Sequence, residues 1–349
     1  MIEQLSHIVF LTPGFPENEE DSVTIPAFQV YLKTLKKALP NTKMTVLTFQ
    51  FPFEEKSYQW NHMEVIPLNG KNNQFKKPFV WNKALKTLKR LHQKNPITNL
   101  HSFWIGECSL VGQKFALRAN VKHIVTAMGQ DVVLKNFYVK FLNIKKTKII
   151  TLSKNHHDLL LKNHTLNSQI IPWFIDPENF PELQKSEINI LGIGSLNNVK
   201  NYPTFINIIG ALVKEYPKLK VEIIGSGVEK NNILKNITQL KLEKTISLLG
   251  KLPRKEVLKK MVKSDILLHT SIYESFGYVF LEGLYSGMKI VSFDVGVAKE
   301  IAEWKVCKST DEMIVSINTF LNNNKAIKKR VLLNNYQDTI NLYLKLYNA

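Results

Sequence analysis

The side chains best spaced for chemistry in this sequence are Glu274 and Glu282, set in the segment TSIYESFGYVFLEGLYSGMKIV at 270–291. Glu274 lies in a loop after an apolar, strand-like run. Ser275, Phe276 and Gly277 then lead into a helix that carries Glu282 near its fifth position. On one helix the two carboxylates would differ by about 80° around the axis, from steps of ~100° per residue. With Glu274 in the loop they can instead flank a ligand lying across the helix N-terminus. The unpaired amides and positive dipole end of such a terminus suit an anionic diphosphate, and Gly277 lets the backbone approach it closely. Spacing alone leaves a second reading open, a loop glutamate and a solvated glutamate on a helix surface.

Other residue patterns carry less. The G-x-G pieces at Gly192 and Gly194 and at Gly225 and Gly227 lack the third glycine of a dinucleotide fingerprint, which argues against a nicotinamide-dependent dehydrogenase. His156, His157 and His164 have no zinc-ligand spacing with Cys or Glu and read as solvated helix positions. His101, in LHSFW, either approaches an interdomain cleft from a strand end or is a satisfied structural histidine. Cys108 and Cys307 are the only cysteines and form no C-x-x-C, so both read as reduced, half-buried thiols.

These residues need elements to hold them. Strand-like runs at 7–12, 44–49, 99–104, 123–128 and 148–153 are interleaved with helical spacing at 24–38 and 80–93. After DPENFPELQKSE (176–187), which looks like a linker, a second alternation begins. It places strands at 189–196, 220–227, 245–252, 265–271 and 289–295, with helices at 202–215, 229–240, 254–263 and 278–287. Nearly continuous apolar strands alternating with helices predict parallel sheets covered on both faces. The fold class is α/β: two Rossmann-like domains with their sheets facing each other across a cleft. The domains are expected at 1–180 and 188–329, joined by a linker at 181–187, with a C-terminal helix within 330–349. At 349 residues with 44% apolar side chains the chain has material for two such cores without metal or disulfide.

No apolar run approaches the ~20 residues needed to cross a bilayer. The N-terminal segment also has acidic Glu3 where a signal peptide is basic, so a cytoplasmic chain is expected. The net charge of +18 is unevenly spread: residues 71–148 carry 16 Lys+Arg against 2 Asp+Glu. This stretch includes the Trp81 helix and KNFYVKFLNIKKTK (135–148), where aromatics alternate with lysines. Such a face fits peripheral association with the inner, anionic face of the cytoplasmic membrane, or it is a solvated face over ordinary helices. Only Arg90, Arg118, Arg254 and Arg330 are arginines, and no recognition motif is present, which argues against nucleic acid as the partner.

The pair Glu274 and Glu282 within ESFGYVFLEGLYSGMKIVSFDVG resembles the E-x7-E signature of family 4 retaining glycosyltransferases, which have the GT-B fold. Further segments resemble the family in order and spacing: TPGFP with Gly14, GQD at 129–131, IIPWFIDPENF at 170–180, GIGSLNNVKN at 192–201, VEIIGSG at 221–227 and LLGKLPRKEV at 248–257. The resemblance implies transfer of a sugar from a nucleoside diphosphate sugar to a glycan or lipid-linked acceptor, in cell-surface polysaccharide synthesis. It implies that the C-terminal helix within 330–349 packs back on the first domain, that Glu274 faces the donor sugar and that Glu282 faces the ribose. Lys200 would neutralise the leaving diphosphate, with the amides of Gly277, Tyr278 and Val279 beside Phe276. Gly250, Lys251 and Leu252 would lie near the base. Fixed cations and amides can stabilise a departing diphosphate without a metal; no D-x-D occurs, and no cofactor or metal is expected. The sequence departs from the family pattern at Ser195, where an arginine is usual, with Arg254 or Lys251 as a compensating cation. It departs again at Met128, which stands for a sugar-contacting histidine in TAMGQD ahead of Asp131, and at Trp173. The alternative these departures favour is a catalytically silent GT-B protein that binds nucleotide or glycan.

Overall fold

The computed structural model describes residues 7–322 and 328–348, and contacts divide the chain into two compact units, 1–174 with 336–349, and 175–335. The first unit runs β1 (His7–Gly14), α1 (Pro26–Ala38), β2 (Lys43–Phe51), β3 (Tyr58–Trp60), β4 (Met63–Pro67), α2 (Lys77–Lys94), β5 (Asn99–Phe103), α3 (Glu107–Ala119), β6 (Lys122–Thr126), β7 (Thr147–Thr151), α4 (Lys154–His164) and β8 (Gln169–Ile170). Among the described residues its strands lie in the order β3-β4-β2-β1-β5-β6-β7-β8. All pairs are parallel except β3 with β4. The central strand β1 is buried from His7 to Thr12 because helices cover both its faces. Val9, Leu11, Leu47 and Leu100 pack under Leu88 of α2 and Val111 of α3.

The second unit runs β9 (Ile188–Ile193), α5 (Tyr202–Leu212), β10 (Val221–Ile224), α6 (Lys230–Gln239), β11 (Ile246–Gly250), α7 (Arg254–Val262), β12 (Ser264–His269), α8 (Tyr278–Tyr285), β13 (Lys289–Phe293), β14 (Trp304–Cys307) and α9 (Thr310–Asn322). Its parallel strands lie in the order β11-β10-β9-β12-β13-β14. The last helix, α10 (Tyr336–Asn348), is grouped with the first unit.

Several features differ from the sequence expectation. The division falls at Phe174/Ile175, and 181–187 is part of the second unit rather than a linker between units. Glu187 Oε1 there accepts from Lys263 Nζ at 2.9 Å, and Pro181 O accepts from Arg330 Nη2 at 2.7 Å. The hairpin β3–β4, helix α3, strand β14 and helix α9 were not legible as elements. In α3 so much of the circumference is buried, including Ser109, Gly112 and Gln113, that no single apolar stripe marks it; β14 spans only 4 residues. The cysteines are free but fully buried rather than half-buried. His156 is likewise not solvated: it is buried, with Nε2 3.0 Å from Gly129 O, and His157 and His164 meet Ser168 Oγ and Val133 O.

The return of α10 closes the core of the first unit. Tyr343 packs on Tyr31 with ring centroids 4.7 Å apart. Tyr347 Oη lies 2.6 Å from Tyr31 Oη and 2.7 Å from His101 Nδ1, whose Nε2 meets Thr126 Oγ1 at 2.8 Å. Burial pushes the His101 pKa well below its ordinary value, so the ring is neutral and serves this network as donor and acceptor. Tyr347→Phe would leave the Tyr31 and His101 polar atoms short of a partner. We expect a loss of about 1–3 kcal/mol, read from urea unfolding with unchanged secondary structure; no measurable loss would mean the network carries no stability.

Candidate active site

In the second unit, β9, β10 and β11 run to one side and β12, β13 and β14 to the other, so the strand order reverses between β9 and β12. Ligands of such sheets bind outside the carboxyl ends of the strands at this switch point. The loop after β9 carries Lys200 and the loop after β12 carries Glu274. The two loops are fastened together. Thr270 Oγ1 donates to Lys200 O at 3.0 Å and Asn201 O at 3.1 Å, while Ser271 Oγ and Ile272 N donate to Val199 O at 3.0 and 2.9 Å.

The glycines of the G-x-G pieces are explained by close approach rather than by dinucleotide binding. A Cβ on Gly225 (φ +154°) would sit 1.9 Å from Gly194 O. Gly225 N in turn donates to Gly250 O at 2.9 Å, so the loops following β9, β10 and β11 lie backbone against backbone. Gly194 leaves room for the Lys200 stem, whose Cε would be 3.0 Å from a Cβ there.

Lys200 Nζ forms an ion pair with Glu274 Oε1, and His269 Nε2 stands 2.9 Å from the same oxygen. Burial alone would raise the Glu274 carboxyl, but the His269 hydrogen bond and the Lys200 charge outweigh it and hold its pKa at about 2. His269 is itself buried at the end of β12, edge-on to Phe280 at 4.8 Å, and burial lowers its pKa. It therefore acts as a neutral donor through Nε2.

Helix α8 starts from Gly277 in the left-handed region (φ +79°), where a Cβ would meet Phe280 Cε2 at 2.4 Å. The preceding Phe276 is buried, and its carbonyl accepts from Val297 N at 2.9 Å. The first amides of α8, including Tyr278 and Val279, have no partner within the helix. Glu282 is buried rather than solvated, and its Oε1 pairs with Arg254 Nη1. Burial pushes the Glu282 carboxyl up and Arg254 opposes it, the net direction being up. Arg254, at the start of α7, also lies over the Tyr278 ring at 5.5 Å. The second unit thus gathers two carboxylate–cation pairs whose carboxylates lie one on each side of the α8 N-terminus in sequence. Leu252 and Gly250 (φ +73°) precede Arg254, and Lys251 beside them is exposed. Ser195 is exposed and brings no charge.

The residues expected on the acceptor side are placed otherwise. His101 is buried inside the first unit, in the network with Tyr347, and presents no free edge. Met128 is buried, and the Asp131 carboxylate is consumed by backbone: Oδ2 accepts from Ile105 N at 2.7 Å and Oδ1 from Gly129 N at 2.6 Å and Met128 N at 3.1 Å. Gly14 ends β1 beside Phe51. Sequence reasoning missed His269, whose only signal is its place at a strand end five residues before Glu274. It also missed Trp104, half-buried with φ +66° at the carboxyl end of β5, which adjoins β1 at the first unit's own switch point. Among the described residues no group of three or more His, Cys, Asp or Glu could hold a metal ion.

A largely parallel sheet covered by helices, with a switch point in its strand order, defines a Rossmann-like unit, and two such units in one chain define the GT-B fold class. Residues 175–337, which span the second unit, match the model of the glycosyl transferases group 1 family. Among curated relatives, the chain is 31% identical over 160 residues to one component of the human phosphatidylinositol N-acetylglucosaminyltransferase, covering 44% of this chain and 33% of that protein. It is 28% identical over 170 residues to a Campylobacter jejuni diphospho-undecaprenol-sugar 4-alpha-N-acetylgalactosaminyltransferase, covering 46% and 45%. The matches thus span less than half the length of these relatives. In fold, it superimposes on the sucrose-phosphate synthase of Thermosynechococcus elongatus with a TM-score of 0.72 at 13% identity, over 98% of this chain and 96% of that one.

The depressed Glu274 pKa makes a signed prediction. Its folded value of about 2 lies below the ordinary 4.5. The ionised carboxylate therefore contributes stability at neutral pH that is lost as pH falls through that interval. The stability difference between the wild type and Glu274→Gln should narrow between about pH 5 and about pH 3 in urea unfolding. A difference constant across that range would mean the ion pair does not depress the carboxyl.

Proposed function

We propose that the chain is a retaining glycosyltransferase of family 4 that moves a sugar from a nucleoside diphosphate sugar to a glycan or lipid-linked acceptor. The observation that carries the reading is the Lys200–Glu274 pair held across the β9/β12 switch point beside the N-terminus of α8. A diphosphate seated on the amides of Gly277, Tyr278 and Val279 would draw the Lys200 ammonium from Glu274 and stabilise the charge that develops as the nucleoside diphosphate departs. Glu274, kept ionised by His269, would then face the donor sugar. Glu282, oriented by Arg254, would hold the ribose, with the base beside Gly250 and Leu252. These donors act as fixed charges and dipoles, so the proposed chemistry is independent of metal and needs no cofactor. The names of the relatives support an acceptor of the lipid-linked kind: phosphatidylinositol for the human protein and a diphospho-undecaprenol glycan for the Campylobacter one. We place the protein in the cytoplasm, peripheral to the membrane's inner face, in cell-surface polysaccharide synthesis; no helix among the described residues is long and apolar enough to cross a membrane.

A second reading, a catalytically silent GT-B protein that binds nucleotide or glycan, is favoured by the exposed, uncharged Ser195 where the family usually has a cation.

A thermal-shift panel of UDP, GDP, ADP and CMP and their sugar conjugates, with and without EDTA, should show one base stabilising the protein equally in both conditions. Lys200→Ala and Glu274→Ala should each lower sugar transfer by about 100-fold or more while keeping the fold, and Lys200→Ala should weaken the diphosphate but not the nucleoside. Near-normal turnover in either variant overturns the assigned roles. Nucleotide binding with no turnover on any acceptor selects the second reading.

A further inference from the structure

The strongly basic stretch 71–148 supplies strands β5 and β6 to the first unit's sheet and, over one face of that sheet, a layer made by helices α2 and α3. Helices α2 and α3 share a core over β1 and β5 through Val80, Leu88, Val111 and Phe115. Gln113 of α3 then holds the short turn at 137–141, donating to Phe141 O at 2.8 Å and accepting from Asn143 N at 2.5 Å. The stretch has two acids, Glu107 and Asp131, and both are occupied within the protein. Glu107 accepts from Gln50 Nε2 at 2.6 Å and Trp81 Nε1 at 2.8 Å, and Asp131 binds the backbone amides described above. What this layer presents outward is therefore cationic without a countercharge of its own.

It is also apolar. Phe75 is 90% exposed and Phe79 77%, at the entrance of α2; Phe137, in the turn against α3, is 62% exposed, and Leu134 ahead of that turn is 72% exposed. Large apolar side chains this open are costly in water unless something covers them. Along α2 a shallow groove is lined by Phe79, Asn82, Lys83, Lys86, Thr87 and Arg90, so one helical stripe begins with an aromatic ring and continues with three cations. Trp81, which the sequence suggested for this face, is half-buried and tied to Glu107 instead.

We propose that this layer docks on an anionic lipid bilayer, with Phe75, Phe79 and Phe137 entering the headgroup region and Lys83, Lys86 and Arg90 resting against lipid phosphates. Charge decides among the occupants. A second copy of the chain would set one cationic face against another, and a nucleic-acid duplex, its bases already stacked, would leave the exposed phenylalanines and leucine without an apolar partner. This surface deepens the peripheral part of the proposed function and uses none of the residues placed at the donor site.

Co-sedimentation of the full chain with vesicles of phosphatidylcholine alone and of phosphatidylcholine with phosphatidylglycerol tests it. We expect capture by the anionic vesicles and at least ~10-fold weaker capture by the neutral ones. Lys83→Glu/Lys86→Glu/Arg90→Glu should lose the anionic capture, whereas Phe75→Ser/Phe79→Ser should bind at low salt and be released as salt rises. Equal or absent binding to both vesicles overturns the proposal, and so does anionic binding that neither variant changes or that heparin-coated beads match at every salt concentration. The nucleotide thermal shift is read on the same preparations. A retained shift with no vesicle capture places the failure in the docking face, and capture without any shift places it in the donor-site reading.

Discussion

A carboxylate withdrawn from water is tolerated only where fixed donors replace its hydration. Glu274 meets that requirement with two groups from different loops, the Lys200 ammonium and the His269 ring. Neither donor is free to drift. His269 is locked at the end of β12 against Phe280, and the Lys200 backbone is clamped by Thr270. Satisfying one buried charge therefore fixes the relative positions of two strand ends, and the switch point of the sheet becomes a rigid, preorganised edge. The bare glycines at 194 and 225 serve the same end by letting adjacent loops touch through backbone alone.

The second pair follows the same rule on a different element. Glu282 is buried in α8, and Arg254 reaches it from α7. Both cations are therefore satisfied within the unit, and any anion that took either of them would have to compete with a carboxylate for it.

The parallel α/β alternation was legible because buried parallel strands are apolar almost throughout, and β1, β9 and β12 are examples. The Glu274 loop and Glu282 helix were legible because a strand end, a glycine and a helical period follow one another directly. The partners were not. Nothing local in the sequence ties Lys200 to Glu274 or Arg254 to Glu282, since both meetings depend on how distant elements come together, and His269, though only five residues before Glu274, stands in no motif that marks it. Of the two readings open for His101 the structural one holds: it is the central residue of β5, and the aromatic helix that covers it, α10, is encoded far away. Asp131 likewise lies in a family-like motif yet spends its oxygens on the turn that contains it.

That distant encoding has a consequence for how the protein is made. The first unit's sheet is complete by Ile170, but Tyr31 and His101 wait for Tyr343 and Tyr347. During translation the entire second unit emerges in between and has the length it needs to fold first. The nascent first unit therefore spends that interval with an aromatic and polar seam open on the ribosome, a seam that the C-terminal helix seals only when residues 336–348 have been made.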